Sequence, residues 1–300
     1  MPDQPPIQHP PEGSRLKGFD KLSVTLGYGC TMSCSHCLNN SGPKRRDSLS
    51  RDEIEKIRID ISRYKPLHIT LIGGEPTLYL SMIRNIFIGI GYSPEVTLTT
   101  NGFFAVSQNR TKKVLDQIPY LKKLNLSFDS FHNSDLSDCR PDNLCQYARS
   151  KNITFSIIVS TSDFMSDLKF IKSLQTKYSV VSYQKVDGSG RAKGSSSEYR
   201  YGKFDSAVLE KICPNRGTAN YFPGLGYSVC CSNVVFNLKQ RGVFEREISN
   251  LEQNAFNKTV SQKSIGSRCK ELGMEPPISQ RLSSVCNFCE LLTKKELRHV

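Results

Sequence analysis

The chain has 300 residues, 37% of them hydrophobic, enough to fill a real core in one large domain or two modest ones, which excludes wholesale disorder and short disulfide scaffolds. Its longest apolar stretch, 83–90, is broken by Arg84 and Asn85 and falls short of the roughly 18 to 20 apolar residues of a membrane span, so no membrane partner is expected. Forty-one basic against 28 acidic side chains leave a formal charge of +13, scattered rather than gathered into a stripe. That reads as a basic solvated surface, or as one suited to an acidic partner such as a nucleic acid, an anionic peptide or a phosphorylated metabolite.

Residues 1–20 hold five of the fifteen prolines and no apolar core of a signal peptide, which predicts a disordered tail over 1–19 and no secretion. Eleven cysteines are then expected in a reducing, cytoplasmic setting, where clustered thiols mean metal or catalysis.

From Lys21 onward, short β-branched runs alternate with helical patterns. Strands are predicted over 22–26, 68–72, 95–99, 123–128, 154–159 and 180–186. The first helix is signalled by a capping box, Ser50 with Glu53, by Ile54, Ile57, Ile61 and Tyr64 on one face, and by Pro66 as its stop. Helices near 82–90, 111–118, 142–151 and 167–176 fill the later gaps. Six such units are too few for a closed eight-stranded barrel, but right-handed crossovers curl them into an α/β fold, a partial (β/α)6 TIM-like barrel over 20–204. After the Gly- and Ser-rich stretch 188–202 the rhythm changes, and 205–300 reads as a small C-terminal α+β domain with one hairpin, too thin in core to stand without metal.

The loop after the first strand carries Cys30, Cys34 and Cys37, spaced by three and two residues. Soft thiolates at this spacing wrap one iron or zinc centre. A 4Fe-4S cubane held by three local ligands keeps one iron open to another molecule; a zinc site with His36 or a distant cysteine is the alternative. This C-x3-C-x2-C spacing after the first strand of a partial barrel resembles the radical S-adenosylmethionine (radical SAM) superfamily. The resemblance implies that the open iron chelates the amino and carboxylate groups of SAM, and that reduction by a donor such as flavodoxin or ferredoxin cleaves SAM to a 5'-deoxyadenosyl radical. It places the residue before the last cysteine, commonly aromatic in the family and here His36, beside the adenine.

Later strand ends carry further matches, at the rim where a barrel places its site. Gly73-Gly74-Glu75-Pro76 is similar to the family's GGEP motif, which implies close backbone approach to SAM at Gly73 and Gly74 and an acceptor for its ammonium at Glu75. Thr100 and Asn101 lie in a segment resembling the family's TNG loop. Ser127 and Asp129 suit the ribose hydroxyls. Each is also ordinary turn chemistry when taken alone. Arg191, in a stretch that looks like the family's GRA segment, is expected to pair with the SAM carboxylate or with substrate, the plain alternative being a flexible linker. His132 is a candidate acid or base beside the substrate, against the commoner role of a hydrogen-bonded structural histidine.

Four more cysteines form a second set: Cys213, Cys231, Cys286 and Cys289. They can fully ligate an auxiliary 4Fe-4S cluster, and their spacing resembles the shortened SPASM arrangement called twitch, in particular that of an aminocyclitol dehydrogenase of the superfamily. Structural zinc is the alternative. Cys230 sits beside Cys231, and on a strand adjacent side chains point to opposite faces. Spacing therefore selects Cys231 as ligand and leaves Cys230 as a packed thiol or a catalytic hydrogen-atom donor. Cys139, Cys145 and Cys269 match no motif.

The expectation is a radical SAM enzyme that abstracts hydrogen from an unactivated C–H bond, with the auxiliary cluster accepting an electron from the substrate radical. A peptide substrate (crosslink, thioether or epimerisation) ranks narrowly ahead of a sugar or aminocyclitol small molecule. No leader-recognition domain is expected ahead of a barrel that begins by Lys21. A non-enzymatic metal module binding nucleic acid would account for thiols and charge but not for Gly73-Gly74-Glu75, and no stacking platform supports it.

Overall fold

The computed structural model describes residues 19–132, 134 and 136–297; the tail expected over 1–19 lies, apart from Phe19, outside the described residues. In chain order the elements are β1 (Lys21–Thr25), α1 (Arg51–Tyr64), β2 (His68–Ile72), α2 (Leu80–Phe87), β3 (Glu95–Thr100), α3 (Gln108–Leu115), β4 (Leu121–Ser127), α4 (Arg140–Ser150), β5 (Thr154–Thr161), α5 (Phe164–Gln175) and β6 (Val181–Lys185). These six units are the predicted ones. Helix α1 begins as its sequence dictates, with Ser50 Oγ accepting from the Glu53 N–H and the Glu53 carboxylate accepting from the Ser50 N–H. It stops at Lys65, whose left-handed φ of 46° precedes Pro66. Helices α3 and α5 start about three residues earlier than the periodicity suggests, because Ser107 and Asp163 cap their first turns.

All six strands pair in parallel with their neighbours, in the sheet order β6-β5-β4-β3-β2-β1. Leu22, Val24, Ile69, Leu71, Val96, Leu98, Leu124 and Leu126 are buried in the principal core together with residues of the helices. The alternate residues are polar and meet across the strands: Ser23 pairs with Thr70, Thr70 with Thr97, Thr99 with Asn125, and Asn125 with Ser156. Side-chain hydrogen bonds from Ser156 to Asn125 and from Asn125 to Thr99 satisfy part of this row. One face of the sheet is thus apolar and the other hydrogen-bonding, the condition for a site at the strand ends.

The remaining chain departs from the expected boundary. Strand β7 (Thr218–Phe222) pairs in parallel with β1, and β8 (Gly226–Ser228) returns antiparallel, so the C-terminal hairpin extends the barrel sheet to eight strands. A division at residue 204 therefore separates chain segments but not sheets. Helices α6 (Ala255–Gln262), α7 (Ile265–Glu271) and α8 (Val285–Glu296) follow. The last two pack with Val208 in a separate small core containing Phe288 and Leu292. No described helix is long and apolar enough to cross a membrane.

Candidate functional site

The loop leaving β1 folds back on itself through Tyr28 N–H to Asp47 C=O (2.8 Å), Gly42 N–H to Tyr28 C=O (3.1 Å) and Cys30 N–H to Gly42 C=O (3.2 Å). It holds Cys30, Cys34 and Cys37 against a cavity of about 380 Å³, also walled by His36, Gly73, Gly74, Thr100, Asn101, Ser127, His132 and Arg191. Its size falls in the range of small-ligand sites. Each thiol has a polar neighbour. Asn101 Nδ2 donates to Cys30 Sγ at 3.6 Å, the Ser41 N–H donates to Cys37 Sγ at 3.3 Å, and the His132 ring lies beside Cys34. Burial pushes the Cys30 thiol up to about 11, so ionisation there calls for a cation such as iron.

The two glycines serve the thiol loop directly. Gly74 N–H donates to Gly27 C=O (2.8 Å) and Glu75 N–H to Gly29 C=O (2.9 Å). A Cβ on Gly74 would lie 2.1 Å from the Gly29 carbonyl oxygen, and one on Gly73, whose φ is +152°, would lie 2.5 Å from that of Gly27. Side chains at either position would force the two loops apart.

Three residues expected at the ligand are engaged by the protein itself. Glu75 is fully buried and outside the cavity wall. Its Oε1 accepts from the Thr77 N–H (3.1 Å), Thr77 Oγ1 (2.7 Å) and Thr100 Oγ1 (2.8 Å), and its Oε2 from the Asn101 N–H (2.9 Å). Burial raises its pKa in spite of these bonds. It therefore positions the Thr100-Asn101 loop from behind the cavity wall. Asp129, 1% exposed, is likewise held inside the protein: it accepts from His132 Nδ1 (2.7 Å) and the Ser160 N–H (3.0 Å). Arg191 does line the cavity, but its Nε donates to Cys34 C=O (2.8 Å) and its Nη2 to Ser41 C=O (2.7 Å), while its backbone N–H donates to Cys37 C=O (3.0 Å). It clamps the thiol loop. Gly190 allows the approach, since a Cβ there would lie 2.1 Å from the Leu38 carbonyl oxygen.

His132 is buried, which opposes its protonation, yet hydrogen bonds to Asp129 and Cys34 win and push its pKa up to about 10. Held this way by Asp129 and next to Cys34, His132 is placed as an acid rather than as a base. His36 is the opposite case: burial pulls it down to about 4. Its ring lies 4.4 Å from that of Phe131, and its Nδ1 is buried without a partner, an orphan atom beside the cavity.

The second set of thiols surrounds a separate small cavity, lined by Cys213, Cys230, Cys231, Cys286 and Cys289. Cys213 precedes β7, the adjacent pair follows β8, and the last two lie on the first turns of α8. Because the pair sits past the end of β8 rather than within it, both of its members reach this cavity. Cys231 also lines the larger cavity, whereas Cys230 does not, so the expectation that Cys230 faces substrate is corrected. Burial pushes Cys231 up to about 12 and raises Cys230 and Cys286 well above the usual thiol value. Among the described residues, the set of His, Cys, Asp and Glu ligand atoms within 4.8 Å of one another is His36, Asp129 and His132. Neither group of thiols is drawn that tight. A single zinc ion would hold its sulfurs roughly 3.8 Å apart, given Zn–S bonds of about 2.3 Å.

Two site residues escaped the sequence reading. Asp187, at the end of β6, lines the larger cavity and is raised by burial against hydrogen bonds from Ser284 and Cys286; its strand-end position was a usable signal. Arg268, 2% exposed, donates to Cys289 Sγ; beside Lys270 and Glu271 its sequence carries no sign of burial.

Comparison with known proteins bears on this arrangement. Residues 24–176 match the model of the Radical SAM superfamily. YydG of Bacillus subtilis (strain 168), named as a peptide biosynthesis protein, is 24% identical over 255 residues, 78% of this chain and 77% of that one. Among solved structures, BtrN in complex with AdoMet and 2-DOIA superposes with a TM-score of 0.52 at 15% identity, over 84% of this chain and 89% of that one. Streptococcus suis SuiB bound to its precursor peptide SuiA gives 0.55 at 14% identity, over 82% and 67%.

Proposed function

The chain belongs to the radical SAM superfamily, and from that premise we propose that it is a peptide-modifying enzyme with two iron-sulfur sites. Cys30, Cys34 and Cys37 would hold the SAM-binding 4Fe-4S cluster; three thiols on one loop beside a cavity suit a cubane that keeps one iron open. Bound there and reduced by a flavodoxin- or ferredoxin-type donor, the cluster and SAM supply a 5'-deoxyadenosyl radical for hydrogen abstraction. Arg191, Gly73 and Gly74 fix the loop. Asn101 and His132 orient the thiolates of Cys30 and Cys34, and the neutral ring of His36 offers an apolar face and one free nitrogen to the adenine.

At the second site four ligands are needed and five thiols converge. We assign Cys213, Cys230, Cys286 and Cys289 to an auxiliary 4Fe-4S cluster and leave Cys231 free, because it alone of the five walls both cavities. A free Cys231 can give its S–H hydrogen atom to a substrate carbon radical. The resulting thiyl radical regains one electron from the reduced donor and one proton from solvent. Inversion of a peptide stereocentre is the outcome this placement favours.

The observation that carries the peptide reading is the relationship to YydG across more than three quarters of both chains. The likeness to BtrN keeps a small-molecule substrate as the second reading. The test is anaerobic formation of 5'-deoxyadenosine with extract of the source cells. Stimulation destroyed by protease treatment supports a peptide; stimulation that survives it moves the assignment to a small metabolite.

A further inference from the structure

Arg268 on α7 buries its guanidinium against α8. Nη1 donates to Cys289 Sγ at 3.0 Å, Nη2 to Thr293 Oγ1 at 3.0 Å, and Nε and Nη2 grip the two carboxylate oxygens of Glu296 at 2.9 and 2.8 Å. Cys289, Thr293 and Glu296 are four and three residues apart on α8, so they form one ridge of that helix. The guanidinium lies along it with one end on sulfur and the other on carboxylate. The pairing with Glu296 does not explain why the cation is driven inward, since Glu296 is 27% exposed and an ion pair could form at the surface. A neutral thiol is a weak acceptor. A cationic N–H at this distance is matched by a sulfur that carries negative charge, the state of a metal-bound thiolate.

We propose that Arg268 sets the reduction potential of the auxiliary cluster through its hydrogen bond to Cys289. This rests on the reading of Cys289 as a ligand of that cluster. The couple gains one electron and no proton, and the guanidinium keeps its charge on both sides. The N–H draws electron density from the sulfur, so it stabilises the reduced state more than the oxidised one and makes the cluster a better electron acceptor. Glu296 works in the opposite sense from the far end of the guanidinium. Together the two act as an oriented dipole, and removing either pole shifts the potential in a different direction. Arg268 is a positioning residue here: it acts on the cluster through Cys289.

The experiment is an anaerobic, EPR-monitored titration with dithionite of the reconstituted full chain. It is done in the Cys30→Ala/Cys34→Ala/Cys37→Ala background, so that only the second site contributes. In Arg268→Met the ratio of reduced to oxidised cluster at a fixed ambient potential is expected to fall about tenfold, a 59 mV shift for a one-electron couple. Arg268→Lys falls between wild type and Arg268→Met, and Glu296→Gln shifts the ratio the other way. Unchanged potentials with the cluster loaded, or shifts of the same sign in Arg268→Met and Glu296→Gln, overturn the proposal. Should Arg268→Met not take up iron, Glu296→Gln decides: a raised potential supports the role of Arg268 and no shift overturns it. If the triple-cysteine background itself binds no cluster, the reading of the second site fails, and the proposal with it.

Discussion

The two thiol sites are built by opposite strategies. In the first, the sulfurs are local: Cys30, Cys34 and Cys37 sit on one loop, and distant chain segments supply the scaffold, Gly73-Gly74 from the end of β2, Asn101 from the end of β3 and the Arg191 clamp after β6. In the second, the sulfurs are distant: they come from the approach to β7, the exit of β8 and the start of α8, while the hydrogen-bonding support from Arg268, Thr293 and Glu296 lies on α7 and α8. A ligand set confined to one loop can be loaded or lost without unfolding its barrel. A set that ties three segments together makes metal binding part of the folding energy of those segments.

The contrast is broken most sharply by removing ligands. Cys34→Ala should abolish 5'-deoxyadenosine formation while leaving about four iron atoms per chain at the second site, as read by iron analysis. Retained cleavage would refute the assignment of the loop. At the second site the adjacent thiols should divide: Cys230→Ser loses the auxiliary EPR signal, whereas Cys231→Ser keeps it and still consumes SAM but forms no product. A Cys231→Ser protein without the signal would return Cys231 to the ligand set, as its spacing suggested.

Scaffold variants have smaller effects. Glu75→Ala strands the donors of Thr77, Thr100 and the Asn101 N–H in a fully buried place, and should cost about 3 kcal/mol in denaturant unfolding. Glu75→Gln, which keeps one acceptor oxygen, should cost less. A cost near zero for Glu75→Ala would mean that the carboxylate is not the anchor of that loop.

The smallest effect is pH-dependent. Glu290 on α8 is buried, which would raise its pKa, but Lys294, Lys193 and Asn237 together hold it below the usual value of 4.5. Its folded pKa is depressed, so its contribution to stability is present above that value and is lost as pH falls through the folded one. Thermal unfolding between pH 6 and 3, taken as about the range of a carboxylate, should show an acid-side loss that Glu290→Gln makes shallower. An unchanged profile would mean that Glu290 does not tie α8 to Lys193 and Asn237.

The barrel was legible because parallel strands and amphipathic helices write their periods into local sequence. The strands fall within two residues of their predicted starts, and α1 follows its capping box. The docking of β7 on β1 was not legible, because Lys21 and Thr218 meet only through tertiary packing. The grouping of the first three thiols on one loop was legible in their spacing. The jobs of their neighbours were not: Glu75, Asp129 and Arg191 are where a site residue belongs, but sequence does not say whether a side chain faces the cavity or the protein behind it. At the second site, the reading of the Cys230-Cys231 pair assumed an extended strand, and β8 ends at Ser228.

The most direct test of two separately held clusters is iron content with EPR of the reconstituted chain, taken alongside the variant lacking Cys30, Cys34 and Cys37. The account predicts about eight iron atoms per wild-type chain and about four in the variant, with a SAM-sensitive signal present only in the wild type. About four in the wild type and none in the variant would contradict it, leaving the five thiols of the second cavity without a cluster.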